Sequence, residues 1–229
     1  MPDTAGVAVL IAVAGAAPGI GKSTLCRALA GWLSGLGLRV DHFREDEVLT
    51  RDEFAAGAAE FEAGGVVQLP TLLDAVAGFV SSILASGDDV VITDSLIPFV
   101  PSLLAWGHGE DVMTRFLHDL SCLLEPVAPI VVYLDGDPLA ALARAAEREG
   151  PGWLGWFVDK LARYRVSPTV HNVDTAGACL RRERALTLRL VRQQPWDLLV
   201  VHEADSLPPI EVQHRAQDLL ALVLPGYAS

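Results

Sequence analysis

The chain has 229 residues, of which 51% are hydrophobic, and a formal net charge of −12 at pH 7. A chain of this length and apolar content can form one domain with a sizeable core. The acidic balance argues against a nucleic-acid surface and an electrostatic membrane anchor, since both need clustered basic residues.

Three features bear on where the protein works. The amino terminus lacks the basic start of a signal peptide. No apolar run approaches the roughly 18–20 residues of a membrane span. Cys26, Cys122 and Cys179 are scattered without metal-ligand spacing, as expected in a reducing compartment. We therefore predict a cytoplasmic protein that binds neither nucleic acid nor membrane.

The first predicted elements flank a turn that contains glycine and lysine. An aliphatic strand from Val7 to Val13 precedes it, and a helix from Ser23 to Leu33 follows it. Residues 16–23 read Ala-Ala-Pro-Gly-Ile-Gly-Lys-Ser. A strand, such a turn and a helix form the context that the phosphate-binding pattern G-x-x-x-x-G-K-[ST] requires. Ala16 occupies the first position of the pattern, and Gly15 lies one residue earlier.

This turn predicts a site for a nucleoside triphosphate. Backbone N–H groups and the amino end of the helix would surround the phosphates. Lys22 would reach the β- and γ-phosphates, and the Ser23 hydroxyl would ligate Mg²⁺. We therefore expect ATP and Mg²⁺ as cofactors, bound by Ala17, Pro18, Gly19, Ile20, Gly21, Lys22, Ser23 and Thr24.

Acidic residues follow the second and third predicted strands. The second strand, at residues 39–43, leads into an acidic cluster that contains Glu45 and Asp46. The third strand, from Val90 to Thr93, ends at Asp94. Ligands bind at the carboxyl ends of the strands in open α/β sheets. We expect this acidic cluster to be a solvated turn, a source of a general base for a substrate hydroxyl, or a group that orders magnesium-bound water, and Asp94 to bind Mg²⁺ through water or to take a proton from the acceptor.

Apolar stretches accompany these acids. Phe54 and Phe61 lie seven residues apart in a short helix predicted after Arg51, where they line either the core or a substrate pocket. The run from Leu96 to Trp106 is either a buried crossover or the wall of a pocket for an organic acceptor.

Two longer helices follow the same apolar spacing. They are predicted from Pro70 to Ala85 and from Asp111 to Leu124. The high apolar content of the chain makes either one a candidate contact surface for a homodimer.

The second half of the chain supplies arginines. After a fourth strand, from Pro129 to Leu134, a predicted helix carries Arg144 and Arg148 on one face. This pair would either clamp the transferring phosphoryl group or lie at the surface, balanced by neighbouring glutamates. A long helix ending at Gln193 carries five arginines between Arg181 and Arg192, which either face solvent or bind a phosphate-bearing acceptor.

A fifth strand, from Trp196 to His202, and a helix from Ile210 to Leu224 close the chain. Strands that alternate with helices predict an α/β protein. We expect a three-layer sandwich with a five-stranded parallel sheet, the P-loop containing nucleoside triphosphate hydrolase fold. A single kinase domain would span residues 1–229, with a lid around 144–152 and a helical insertion around 165–193.

The pattern resembles the thymidylate kinase and deoxynucleoside kinase branch of P-loop kinases. The residues that carry the resemblance, besides the turn, are Arg44-Glu45, Asp94, Tyr133-Leu134 with Asp137-Pro138, and Arg144 with Arg148. The resemblance implies ATP as phosphoryl donor and Glu45, or alternatively Asp46, as the general base toward a sugar hydroxyl. Two features differ from that branch. Ser95 follows Asp94 where the branch usually has arginine, and the segment 165–193 is longer than the corresponding segment of the branch.

Three functions remain as hypotheses. In the first, an ATP-dependent kinase transfers the γ-phosphate to a hydroxyl of a nucleoside-like or other organic acceptor, such as an antibiotic, while Lys22, Arg144 and Arg148 neutralise charge on the phosphoryl oxygens. In the second, a nucleoside monophosphate kinase grips the acceptor phosphate with Arg44 or the arginines of 181–192. The third is a regulatory P-loop ATPase switch, disfavoured because N-K-x-D and L-S-G-G motifs are absent.

Overall fold

Five parallel strands form one sheet. The computed structural model describes residues 8–48, 50–164 and 170–224. The strands are β1 (Val9–Gly15), β2 (Val40–Phe43), β3 (Val90–Asp94), β4 (Ile130–Leu134) and β5 (Asp197–Val201), and they lie in the order β2-β3-β1-β4-β5. The predicted α/β fold with a five-stranded parallel sheet is confirmed.

Helices connect these strands. Those within the described residues are α1 (Lys22–Gly35), α2 (Ala55–Gly64), α3 (Leu69–Ser86), α4 (Val100–Ala105), α5 (Glu110–Leu124), α6 (Pro138–Glu149), α7 (Trp153–Ala162), α8 (Val173–Val191) and α9 (Pro209–Val223). The helix predicted after Arg51 is a 3₁₀ turn at Asp52–Phe54 followed by α2. Val7 of the first predicted strand and residues 165–169 of the predicted insertion lie outside the described residues.

The sheet topology brings the predicted site residues to one edge. β1 is central and pairs with β3 on one side and β4 on the other. In register, Val13 lies opposite Asp94, and Gly15 lies opposite Leu134. Because every strand is parallel, the turn after β1 shares this edge with the residues that follow β2, β3 and β4.

The apolar residues form one core layer on each face of the sheet. One layer joins the sheet to α1, α6 and α9, and the other joins it to α3 and α5. All residues of β3 and β4 are buried, as expected for parallel strands covered by helices on both faces. The sheet is therefore a rigid base for the loops at its carboxyl edge.

Helix α3 corrects one expectation from the sequence. It has 18 residues and a mean hydropathy of 1.5, and is thus long and apolar enough to cross a membrane by length and composition. The sequence analysis found no run of this kind. In the structure α3 packs against α5, and its buried residues belong to the core: Leu72, Ala75, Val76, Phe79, Val80 and Ile83. We interpret α3 as a core helix.

Candidate active site

The turn between β1 and α1 is packed tightly against its neighbours. Gly19 has φ +81°, and a Cβ atom there would lie 2.2 Å from the carbonyl oxygen of Ala141 in α6. A Cβ atom on Gly15 would lie 2.7 Å from Cγ2 of Ile20. Ala16 is buried, and its N–H donates to the carbonyl oxygen of Leu134 at 3.1 Å. The alanine at the first position of the phosphate-binding pattern is therefore accommodated by the fold.

We predict that Gly19→Ala weakens ATP binding. An L-residue in the left-handed region costs about 1–2 kcal/mol, and the methyl group would also displace the turn from α6. We expect an affinity for ATP at least about tenfold lower, measured by titration calorimetry. Gly31→Ala is the matched control, since nothing lies within 4 Å of an added Cβ atom there. Equal affinities in the two variants would contradict the prediction.

Lys22 begins α1 and carries a desolvated cation. Its Nζ donates to the carbonyl oxygen of Ala17 at 3.3 Å, and it makes no ion pair among the described residues. Burial lowers the pKa of Lys22, and the carboxylates of Glu45, Asp94 and Glu183 oppose this shift. The ammonium group thus lies where it can meet a further anion, as a polyphosphate site requires.

Asp94 is the last residue of β3 and is only 4% exposed. Its Oδ1 accepts a hydrogen bond from the Ser95 hydroxyl at 2.9 Å. The Ser95 N–H donates to the carbonyl oxygen of Val13 at 3.0 Å, so the acid is held beside the end of β1. This is the position expected for a carboxylate that orders a metal ion at the phosphates.

The acidic cluster after β2 separates the two candidate bases. Glu45 begins a 3₁₀ turn at Glu45–Glu47, and it lines a large cavity in front of the turn that precedes α1. Asp46 does not line this cavity. Its side chain is 73% exposed, and Oδ1 lies 3.5 Å from the Arg44 Nε. Glu45 is therefore the candidate that the structure places beside Lys22.

The large cavity, here called the central cavity, has a volume of about 660 Å³. Lys22 and Glu45 lie in its wall, together with residues of the run from Leu96 to Trp106, of α7 and of α8. An adjoining cavity of about 300 Å³ also contains Glu45, and Asp94 lies in its wall. The run from Leu96 to Trp106 thus includes α4 and lines both cavities, while much of it is buried.

The two phenylalanines that were considered together have different environments. Phe54 is 3% exposed and packs against Phe43 and Phe79, with ring centroids 5.5 and 5.9 Å away. Phe61 is 47% exposed and lines the central cavity. Phe54 is thus mainly a core residue, although it also touches the adjoining cavity, and Phe61 is the aromatic group that an acceptor would meet.

Arg144 and Arg148 lie on another side of the turn. They line a cavity of about 310 Å³ together with Gly19, Thr24 and residues that follow β5. The Nε and Nη2 of Arg144 are buried without a hydrogen-bond partner in the described structure. Arg148 instead pairs with Glu149 at 2.7 Å. Residues 144–152, the expected lid, comprise the second half of α6 and the short turn before α7. The phosphoryl clamp stays a prediction.

Glu183, in α8, is a site residue that the sequence analysis missed. It lines the central cavity, is 9% exposed, and has no hydrogen bond or ion pair among the described residues. Burial raises the pKa of Glu183 to about 7, although the cations of Lys22 and Lys160 oppose this. A usable signal was present, because Leu180, Glu183 and Thr187 follow helical spacing and share the buried face of α8.

We predict that Glu183→Gln stabilises the fold more at high pH than at low pH. A carboxyl group whose pKa rises from 4.5 to about 7 on folding favours the folded state less as pH passes through this range. The full effect corresponds to about 3 kcal/mol above pH 8. Urea denaturation should show the variant to be more stable than the wild type near pH 8, with a smaller difference near pH 5.5. If the difference in unfolding free energy between the variant and the wild type did not change with pH, the raised pKa of Glu183 would be contradicted.

Four of the five arginines between Arg181 and Arg192 are exposed, consistent with the expectation that they face solvent, and three of the five form ion pairs. Arg184 pairs with Asp135 through two contacts, one of them 2.8 Å long, and Arg189 pairs with Glu110 in α5. Arg181 lies 3.5 Å from Asp137. Three of the five arginines therefore join α8 to neighbouring elements and hold Glu183 over the sheet edge.

Comparisons with known proteins identify the fold. No protein-family model matches the chain, and no curated protein matches its sequence. The structure is similar to the crystal structure of thymidylate kinase from Ehrlichia chaffeensis, with a TM-score of 0.53 and 12% sequence identity, over 94% of this chain and 99% of that one. The chain has the fold of this thymidylate kinase structure.

The residues beside the turn that precedes α1 have the oxygen donors that a nucleotide-bound magnesium ion requires. The described residues contain no group of three or more His, Cys, Asp or Glu that could hold a metal ion unaided. Magnesium at a nucleotide needs only one or two protein oxygens, since phosphates and water complete its shell. The exposed Ser23 hydroxyl and the buried Asp94 carboxylate offer hard oxygen ligands of this kind.

Proposed function

We propose that the protein is an ATP-dependent kinase that transfers the γ-phosphoryl group to a hydroxyl of an organic acceptor. The observation that carries the proposal is the position of Glu45. Its carboxylate shares the central cavity with Lys22, and it makes no hydrogen bond or ion pair among the described side chains. A carboxylate without a partner, next to a phosphate-binding turn, is suited to accept a proton from an acceptor hydroxyl.

The donor would bind on the turn that precedes α1. Lys22 and the N–H groups of that turn would hold its phosphates. Ser23 and Asp94 would hold magnesium, which neutralises charge on the phosphates. The adenine base of ATP would enter the cavity lined by Thr24, Ala204 and Arg144. The guanidinium group of Arg144, whose Nε and Nη2 have no partner in the described structure, can hydrogen-bond to the adenine or stack on it.

The chemical step would take place in the central cavity. Glu45 accepts the proton of the acceptor hydroxyl while the hydroxyl oxygen attacks the γ-phosphorus of ATP. The bond between the γ-phosphorus and the oxygen that bridges it to ADP breaks. Lys22 stabilises the negative charge that develops on the phosphoryl oxygens. The products are ADP and a phosphomonoester, with the proton on Glu45 returning to solvent.

The wall of the central cavity favours a partly apolar acceptor. Phe61, Phe99, Trp106, Trp156 and Phe157 line it. Aromatic walls with a few polar groups are typical of sites for organic molecules of this size. Nucleosides and hydroxylated antibiotics are therefore the acceptor classes to test first.

A nucleoside monophosphate kinase is the second candidate, and two cations favour it. Lys160 and Arg163 line the central cavity and could receive an acceptor phosphate. Arg44, considered for this role from the sequence, does not line the cavity, and its Nε lies 3.1 Å from the Glu47 Oε1. We rank this candidate second because an acceptor phosphate has no hydroxyl proton to remove, so Glu45 would have no role as a general base.

The test is ADP release from ATP and Mg²⁺ across a panel of nucleosides, nucleoside monophosphates and hydroxylated antibiotics. We expect stimulation by at least one compound that carries a hydroxyl and no phosphate. Stimulation by monophosphates alone would transfer the assignment to the second candidate. ATP binding without stimulation by any compound would favour the regulatory switch instead.

A further inference from the structure

We infer that the acceptor site has a second compartment, which binds a hydroxyl- or amine-bearing extension of an acceptor longer than a nucleoside. This inference rests on the proposed function and specifies its substrate class. The second compartment is a cavity of about 270 Å³ between the turn before α5, α5 itself and α8. Tyr164 and Glu183 line both this compartment and the central cavity, so the two spaces share a wall.

The first observation is that Glu183 is buried without a protein partner. It is more than nine-tenths buried, and no described residue donates a hydrogen bond to its carboxylate. Buried carboxylates in folded proteins are almost always hydrogen-bonded or paired. Because Glu183 borders both cavities, a ligand that reaches from one to the other can supply the missing donor.

The second observation is independent and concerns the far wall. His108, in the turn before α5, lines the second compartment, and its Nε2 is buried without a hydrogen-bond partner. Leu104, Met113 and Leu186 provide apolar surface beside it. The compartment thus combines apolar walls with two polar groups that the described protein leaves unsatisfied, as ligand pockets commonly do.

The charges of the shared wall select a donor group. At pH 8, above the pKa of about 7 that burial gives Glu183, its carboxylate is mostly ionised and offers only acceptor atoms, so a ligand group facing it must donate. An anionic extension would be repelled by Glu183 and Glu110, although Arg182 and Arg189 also line the compartment. Arg189 is already paired with Glu110. A hydroxyl or a protonated amine is therefore the group that best satisfies the wall.

The matched probes are 2′-deoxyuridine and 5-(3-aminoallyl)-2′-deoxyuridine, with kanamycin as an unrelated extended molecule that carries hydroxyls and amines. Binding is measured by calorimetry without ATP, so that the result does not depend on phosphoryl transfer. We expect at least one extended probe to bind about tenfold more tightly than 2′-deoxyuridine, the factor for one hydrogen bond to a charged group. Equal or weaker binding of both extended probes overturns the inference.

Two variants locate the effect. Glu183→Gln keeps the size of the side chain, and Ala185→Phe adds a ring at the exposed rim of the second compartment. Both should remove the advantage of the extended probe. Ala185→Phe should also leave 2′-deoxyuridine binding unchanged, and Asp218→Asn, on the exposed surface of α9, should change neither the advantage nor the binding of 2′-deoxyuridine. An advantage that survives both variants overturns the inference. If no compound of the acceptor panel stimulates ADP release while the probes and variants bind as expected here, the proposed function is overturned and this inference is not.

Discussion

Replacing Glu45 by glutamine is expected to lower acceptor-dependent turnover by about 10²–10⁴-fold, the usual contribution of a general base. The amide keeps the size of the side chain but cannot take the proton of the attacking hydroxyl. Since the adjoining turn and Lys22 are unchanged, ATP should bind with nearly its original affinity. The measurements are kcat with the best acceptor of the panel and the Kd for ATP.

Asp46→Asn is the matched control for this prediction. Asp46 is the neighbouring acid, is largely exposed, and does not line the central cavity. We expect its replacement to change kcat by no more than about threefold, as for a surface substitution. If Asp46→Asn proved as damaging as Glu45→Gln, the base would have been assigned to the wrong acid.

Lys22→Met should abolish measurable transfer, with a fall in kcat of about 10²–10³-fold or more. Methionine retains the apolar stem and removes the charge that would stabilise the phosphoryl oxygens. ATP affinity should also fall, because in the proposed mechanism Lys22 contacts the phosphates both before and during the reaction. Single-turnover kinetics at saturating ATP separates the two effects.

Lys160→Met is the comparison for Lys22→Met. These are the only two lysines of the chain, and both line the central cavity. Lys160 lies in α7, where its Nζ is 5.5 Å from the ring centroid of Trp156, whereas Lys22 begins α1 directly after the turn. With a hydroxyl acceptor we expect a loss below about tenfold. Equal losses in the two variants would contradict the role assigned to Lys22.

The sequence was sufficient to predict the fold and to predict which residues lie beside the turn that precedes α1, at the carboxyl edge of the sheet. Each of these depends on local patterns: aliphatic runs of strand length, glycines before a lysine, and acids that directly follow strands. Asp94 and Glu45 could be placed together because parallel strands end at one edge. Their location therefore required only the order of the elements.

The position of α8 could not be predicted in the same way. Its arginines pair with residues far away in the chain, such as Arg184 with Asp135 and Arg189 with Glu110, and nothing local encodes those partners. Glu183 becomes a cavity residue only because these pairs and the buried face of α8 fix the helix across the sheet edge. The location of Arg144 likewise depends on the packing of α6 against Gly19.

The most direct test of the account is the chemical form of the transferred phosphate. Phosphorus NMR of a reaction with ATP, Mg²⁺ and the best acceptor distinguishes a phosphomonoester, a phosphoanhydride and inorganic phosphate by their chemical shifts and couplings. The account predicts a phosphomonoester that forms together with ADP and is lost in Glu45→Gln. A new phosphoanhydride on a nucleoside monophosphate, or inorganic phosphate alone, would contradict it.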